Sequence, residues 1–262
     1  MIAEPQVTPY DLSFRLLGFP VRVHPLFWVV AAMLGSRLLA DPEYGVIYLF
    51  CWIAVVFFSI LVHELGHALA YRYYGGDGRI WLYWFGGLAI SDGYRTRPVP
   101  QIVISLAGPA AGFLLLALVY LTDQASGWAG TTLLTREVYR QLVWINLLWG
   151  LVNLLPIIPL DGGQVSREVC GLLRLRDGLA TALKISLGTA GVLVVYSLWC
   201  MITPITELIR ILPGWMPLGD LYTALLFGML GYGNWQQLQW IQRSSAYWDY
   251  GDDDDRLPWQ CR

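Results

Sequence analysis

The stretch HELGH, residues 63–67, lies in a long apolar run and decides how the rest of the chain is interpreted. Residues 46–62 before it contain no charged side chain. On a helix His63 and His67 leave the same face one turn apart, the spacing at which two nitrogens bind one zinc ion. Glu64, next to the first ligand, is placed to act as a general base on a water at the metal. We predict a zinc site inside a membrane-spanning helix, where polar groups are costly.

The composition is that of a membrane protein. Of the 262 residues 56% are hydrophobic and 14% are charged, against about 25% charged in soluble domains. Several apolar runs are long enough to cross a bilayer, which predicts a polytopic chain. The net charge is −2 and no basic patch is present, so we expect no nucleic-acid partner. The four cysteines form no C-x-x-C pair, so neither a disulfide framework nor a thiolate zinc site is predicted.

The predicted fold class is an all-α polytopic membrane protein with about six transmembrane helices and a small membrane-associated β-hairpin or sheet. The transmembrane domain covers residues 25–233, and its predicted spans are about 25–40, 46–73, 100–122, 141–161, 179–203 and 217–233.

The segments outside these spans also carry predictions. Residues 79–91 are rich in aromatic and β-branched side chains around a Gly-Gly pair, which predicts a β-hairpin. Residues 1–24 lack the apolar region of a cleaved signal peptide. They are predicted to form an N-terminal extended segment, because Val21 and Val23 alternate with Arg22 and His24. Residues 234–262 are predicted to form a cytosolic interfacial and acidic tail.

The distribution of cationic side chains predicts the orientation. With the N-terminus inside, thirteen lysines and arginines fall on inside segments and four on outside segments. This bias indicates that both termini are cytoplasmic. Counting about 1.5 Å per residue from the inner end of the second span places His63 roughly 15 Å into the membrane from the cytosolic side.

Asp161 is the predicted third zinc ligand. Catalytic zinc needs three protein ligands and an open position, and no histidine follows His67. Counting residues along the fourth predicted span places Asp161 at a depth similar to that of His63. The alternative is that Asp161 is the turn residue of an Asp-Gly pair. His24, the remaining histidine, is expected to have a structural or hydrogen-bonding role.

Asn146 and Asn153 lie seven positions apart on one face of the fourth predicted span. One interpretation is that both make hydrogen bonds between helices, as asparagines commonly do in membranes. The other is that Asn153 holds a substrate backbone or stabilises an oxyanion. The sequence leaves these two interpretations of Asn153 open.

Two motifs together resemble the site-2 protease family of intramembrane zinc metalloproteases: HELGH at 63–67 and NLLPIIPLDGG at 153–163. Weaker similarities to the same family lie at residues 18–25, 85–87 and 107–109. The resemblance covers about residues 16–203, and it is to a short form of the family without a PDZ or CBS domain.

The resemblance implies one catalytic Zn²⁺ bound by His63, His67 and Asp161, with Glu64 as the catalytic residue. It implies hydrolysis of a peptide bond within or near a transmembrane segment of another membrane protein. The expected partners are that substrate and the lipid bilayer, and the oligomeric state is left open. The alternative is a non-proteolytic metal-binding scaffold or transporter of the same fold, against which the presence of Glu64 argues.

A transmembrane substrate must unwind before its backbone is accessible. We expect the hairpin at 79–91, including Gly86 and Gly87, to hold the unwound strand by edge pairing.

Overall fold

The computed structural model describes residues 8–83, 86–91, 97–173, 177–203 and 219–251, with residues 86–91 and 244–251 described by their backbone. The chain divides into two compact units, Met1–Leu154 and Leu155–Arg262.

The first unit contains a four-stranded sheet and four α-helices. In chain order its elements are β1 Leu12–Leu16, β2 Phe19–Val23, α1 Pro25–Leu34, a 3-10 helix Ser36–Ala40, α2 Gly45–Tyr73, β3 Gly78–Tyr83, β4 Gly86–Ser91, α3 Pro98–Ser126, a 3-10 helix Trp128–Gly130 and α4 Leu133–Asn153. The described elements of the second unit are α5 Asp161–Leu172, α6 Gly178–Ile202 and α7 Leu221–Gly251.

The sheet has the strand order β1-β2-β3-β4. The two outer pairings are antiparallel, whereas β2 and β3 run parallel, with Val21 opposite Ile80 and Val23 opposite Leu82. These four side chains are buried on one face, and they belong to the same apolar core as α1 and α2. Strands β3 and β4 pair antiparallel within the segment 79–91 that is predicted to form a hairpin.

The predicted N-terminal extended segment is, over its described part, a pair of strands. Arg22 lies on the face of β2 opposite to Val21 and Val23, where its guanidinium contacts Asp11 and the ring of Trp81. His24 follows β2 and caps α1, because its Nδ1 accepts a hydrogen bond from the backbone N–H of Leu26 at 3.1 Å. This contact agrees with the hydrogen-bonding role expected for His24.

Three of the described helices, α2, α3 and α6, are long and apolar enough to cross a membrane, and α1 is a shorter apolar helix. The described residues thus contain three helices that qualify as membrane spans. The count of six spans remains a prediction. Helix α4 is 21 residues long, but Arg136, Glu137 and Arg140 lie in its first half.

Glycine 66 of the HELGH stretch brings α2 and α3 into close contact. A Cβ built at Gly66 would overlap the carbonyl oxygen of Ala107 and lie 2.8 Å from the Cβ of Ala111. Small residues permit such approaches between apolar helices. Asn146 of α4 donates a hydrogen bond to the Oγ of Ser59 on α2 at 3.0 Å. This bond confirms the interhelical interpretation for Asn146.

The fourth predicted span differs from the structure at its C-terminal end. The helix ends at Asn153, and a new helix begins at Asp161. Pro156 and Pro159 lie in the segment between them. A proline has no backbone N–H and disfavours helical geometry in the residue before it, so the pair prevents one continuous helix.

Candidate metal centre

Three polar side chains of α2 are buried within an apolar helix. His63, Glu64 and His67 are only 4%, 5% and 7% exposed. Burying polar and ionisable groups costs free energy unless they are bonded or paired. Three such groups within one turn and a half of helix indicate a functional site. If α2 only had to pack against its neighbours, apolar side chains at these positions would be more stable.

The orientation of the His67 ring follows from one hydrogen bond to α3. Its Nδ1 lies 2.7 Å from the carbonyl oxygen of Ile104. A carbonyl oxygen only accepts, so Nδ1 carries the proton and donates it. In the neutral ring Nε2 then has its lone pair directed at the site. This is the arrangement in which metal-binding histidines are usually held.

The distance between the two imidazoles fits a shared metal ion. His63 Nε2 and His67 Nε2 are 3.1 Å apart. Two nitrogens bound tetrahedrally to zinc at about 2.0–2.1 Å would be about 3.3 Å apart. The ring centroids are 4.8 Å apart and the ring planes are inclined at 77°. The two rings therefore converge through their Nε2 edges and do not stack.

Gly108 of α3 leaves space at this pair of nitrogens. A Cβ built at Gly108 would overlap Nε2 and Cε1 of His67 and lie 2.7 Å from Nε2 of His63. Any other residue at this position would occupy the volume next to both nitrogens. The space is thus a cradle for a small ligand such as a metal ion.

Asp161 is the first residue of α5 and is half-buried. Asp161 offers one carboxylate, and its role as the third ligand beside His63 and His67 remains a prediction. Two imidazole nitrogens and one carboxylate oxygen are a known donor set of catalytic zinc. The residues present therefore fit a zinc ion.

The other predicted site residues have local contacts. Asn153 is the last residue of α4, and its Nδ2 donates to the carbonyl oxygen of Trp149 in the same helix at 3.0 Å. Gly86 and Gly87 begin β4, where they pair with Tyr83 and Leu82 of β3. These contacts leave the substrate-binding roles of Asn153, Gly86 and Gly87 as predictions.

Two contributors to the site were not predicted in these roles. The segment 107–109 resembles a family motif, but the sequence does not predict that Gly108 lies against both imidazoles. The carbonyl of Ile104 carries no signal in the sequence, because every residue has a backbone carbonyl. Only the packing of α3 on α2 singles it out.

Comparisons with known proteins show similarity to zinc metalloproteases. Residues 129–197 match the model of Peptidase family M50. The putative zinc metalloprotease Rip3 of Mycobacterium tuberculosis is 33% identical over 168 residues, which are 58% of this chain and 42% of that protein. Zinc metalloprotease MJ0392 of Methanocaldococcus jannaschii is 25% identical over 158 residues, or 60% of this chain and 44% of that protein. The chain thus spans less than half the length of these relatives.

A solved structure shares the fold. The site-2 protease from Methanocaldococcus jannaschii covers 87% of this chain and 94% of its own, with a TM-score of 0.50 and 21% sequence identity. The chain has three apolar helices of membrane-spanning length and a buried pair of imidazoles whose Nε2 atoms are placed to bind one metal ion. The comparisons confirm its resemblance to the site-2 protease family, Peptidase family M50.

Proposed function

We propose that this protein is an intramembrane zinc metalloprotease that hydrolyses a peptide bond within or near a transmembrane segment of another membrane protein. The observation that carries the proposal is the buried set His63, Glu64 and His67, with two Nε2 atoms 3.1 Å apart. A metal centre explains why these costly side chains lie within an apolar helix. The names of the curated relatives support the same activity.

In this proposal His63, His67 and Asp161 bind one Zn²⁺. The ion, when bound, supplies a Lewis acid that polarises a peptide carbonyl and acidifies water. His67 is held for this role by the carbonyl of Ile104, and Gly108 leaves the space that the ion requires. The carboxylate of Asp161 contributes the negative charge that two neutral imidazoles lack.

Glu64 is the proposed general base. It follows His63 directly on α2 and is almost completely buried. Its carboxylate accepts a proton from the attacking water and later transfers that proton to the nitrogen of the leaving amine. A scaffold or transporter with a structural metal site has no use for a base beside its ligand, which favours the protease over that alternative.

The substrate is proposed to bind as an extended strand. In the described sheet β4 is paired on one side with β3. An edge strand presents backbone groups that an unwound peptide can pair with. Gly86 and Gly87 have no side chains to hinder that approach. Asn153 is proposed to contact the substrate backbone or its developing oxyanion.

The proposed orientation has six spans, both termini in the cytoplasm and the active site toward the cytosolic side. The thirteen-to-four distribution of lysine and arginine supports it. The substrate and the surrounding lipid bilayer are the proposed partners.

The test compares membranes that contain either the wild-type protein or Glu64→Gln. New peptide termini in transmembrane segments are identified by mass spectrometry, and the zinc content of each purified protein is measured. We expect Glu64→Gln to keep its zinc and to reduce the new termini by at least about 100-fold. Glu43→Gln makes the same chemical change at an exposed position and is the matched control.

Two results would count against the proposal. Equal cleavage by Glu64→Gln and by the wild type would show that Glu64 is not the general base. If the wild-type protein is purified after growth with zinc and does not contain stoichiometric zinc, the proposed zinc centre is wrong.

A further inference from the structure

The backbone of Ile158 is held at both its N–H and its carbonyl oxygen by buried side chains. Its backbone N–H donates a hydrogen bond to the Oγ of Ser186 on α6 at 3.1 Å. Its carbonyl oxygen accepts a hydrogen bond from Nδ2 of Asn234 on α7 at 2.8 Å. Ile158 lies in the non-helical segment that precedes Asp161. Both polar backbone groups of one residue thus depend on side chains from two different helices.

Each of these side chains is itself fixed by its own helix. Ser186 Oγ donates to the carbonyl oxygen of Ala182 at 2.9 Å, so its lone pair is available to accept from Ile158. Asn234 Nδ2 also donates to the carbonyl oxygen of Leu230 at 2.9 Å. Ser186 is fully buried and Asn234 is 3% exposed. Each side chain is buried and makes one hydrogen bond to its own helix and one to Ile158. Both side chains are therefore held in one rotamer and form rigid supports.

The Ile158 peptide is closely coupled to the first turn of α5, where Asp161 lies. The backbone N–H of Leu160 donates to the carbonyl oxygen of Ile157 at 2.7 Å. A Cβ built at Gly163 would overlap backbone atoms of Ile157 and Ile158. With no space between this turn and the preceding backbone, a shift of the Ile158 peptide must displace the turn that carries Asp161.

We propose that Ser186 and Asn234 are positioning residues that hold the carboxylate of Asp161 where it can bind zinc. This inference rests on the proposed function, in which Asp161 is the third ligand. Supports of this kind, one contact removed from a ligand, typically change metal affinity by 10–100-fold when they are lost. A purely structural role would consist only of satisfying the two backbone groups in apolar surroundings. That role would lower the stability of the fold and leave the affinity for zinc unchanged.

The chain offers a closely matched control for Ser186. Ser197 lies on the same helix, is also fully buried, and donates to the carbonyl oxygen of Leu193, four residues earlier, at 2.8 Å. Ser186→Ala and Ser197→Ala therefore remove the same group from the same kind of helical site. Only the first removes the acceptor for the Ile158 N–H.

The experiment measures the affinity of the purified full-length protein for Zn²⁺ by competition with a chromophoric chelator, together with thermal unfolding of the metal-free protein. We expect Ser186→Ala to bind zinc at least about tenfold more weakly than the wild type. Ser197→Ala is expected to keep the wild-type affinity. Ser186→Thr keeps the hydroxyl and its bond to Ala182, so it is expected to restore much of the affinity.

A second variant keeps the test decisive if Ser186→Ala does not fold. Asn234→Leu removes the donor to the Ile158 carbonyl at similar volume and is expected to weaken zinc binding in the same way. Combining Ser186→Ala with Asn234→Leu should weaken binding by less than the product of the single effects, because both side chains hold the backbone of the same residue, Ile158.

The outcome separates this inference from the proposed function. Asp161→Asn is measured in the same assay and should weaken zinc binding. If Asp161→Asn does so while Ser186→Ala and Ser197→Ala give the same zinc affinity, the positioning role is wrong and the ligand assignment stands. If Asp161→Asn binds zinc like the wild type, the ligand assignment fails and the positioning role fails with it.

Discussion

Gly108 on α3 faces the imidazole of His67 on α2 so closely that a methyl group in place of its hydrogen would overlap Nε2 of that ring. The same methyl group would lie 2.7 Å from Nε2 of His63. The proposed metal position therefore depends on a missing side chain in a neighbouring helix as well as on the ligands themselves.

We predict that Gly108→Ala prevents zinc binding while the protein remains folded. Alanine is favoured over glycine in a helix interior by about 1 kcal/mol, so the loss would come from steric blocking and not from helix propensity. The measurements are zinc content after purification and thermal unfolding. Gly112→Ala is the control, since its Cβ would meet only Asn146 Oδ1, at 3.9 Å. Stoichiometric zinc in Gly108→Ala would show that the ion does not occupy this space.

We predict that removing the metal lowers the thermal stability of the protein. A ligand present at 100 times its dissociation constant stabilises the folded state by about 2.7 kcal/mol. The unfolding midpoint should fall when a chelator is added and recover when Zn²⁺ is restored. His67→Ala should abolish this zinc-dependent shift. His24→Ala loses the cap of α1 but should keep the shift, because His24 is expected to have no part in metal binding.

We predict that the hydrogen bond between Asn146 and Ser59 contributes to the packing of α4 on α2. The bond is 3.0 Å long and both side chains are buried. Hydrogen bonds between membrane helices contribute about 0.6 kcal/mol on average, with a maximum near 1.7. A double-mutant cycle of Asn146→Ala and Ser59→Ala, measured by unfolding in detergent, should give a coupling energy in this range. Strictly additive effects would mean that the bond does not stabilise the protein.

We predict an acid-sensitive contribution from Asp11. Burial raises the pKa of its carboxyl, but hydrogen bonds from Thr8 and the hydrogen bond and charge of Arg22 outweigh this effect and lower the pKa from 3.8 to about 2. The folded state therefore binds the proton less readily than the unfolded state. The stabilisation is present above pH 3.8 and is lost as the pH falls toward 2.

The measurement is the unfolding midpoint of the wild type and of Asp11→Asn over this pH range. The difference between the two proteins should shrink as the pH falls. Asp41→Asn is the control for the loss of an exposed carboxylate, since no ion pair is seen for Asp41 among the described residues. Its Oδ1 accepts hydrogen bonds from the backbone N–H groups of Glu43 and Tyr44, which an asparagine oxygen can also accept. A constant difference between wild type and Asp11→Asn would contradict the prediction.

The parts of the fold that depend on local pattern were predictable from the sequence. The unbroken apolar run before residue 63 predicts a long helix, and α2 covers Gly45–Tyr73. Aromatic and β-branched residues around a glycine pair predict the β3–β4 hairpin. Spacing alone places His63 and His67 on one helix face, because helical geometry is local. Residue type and the need for a third ligand single out Asp161.

The parts that depend on contacts distant in sequence were not predictable. The parallel pairing of β2 with β3 joins residues about sixty positions apart, and no periodicity encodes such a partner. The support of the Ile158 peptide by Ser186 and Asn234 is of the same kind. A serine and an asparagine within apolar helices indicate hydrogen bonding in general, but the sequence does not name the backbone group that they bind.

The parallel pairing of β2 and β3 imposes a parity rule on the path of the chain. These strands are neighbours in one sheet, so the start of α1 and the end of α2 lie on the same side of any bilayer that the protein spans. The chain between them must then cross an even number of times. If α2 accounts for one crossing, α1 and the following 3-10 helix, which can extend roughly 25 Å together, must supply the other. On that condition, the pairing of β2 with β3 would require α1 to take part in a membrane crossing, although α1 is too short to be a membrane span by length and hydropathy.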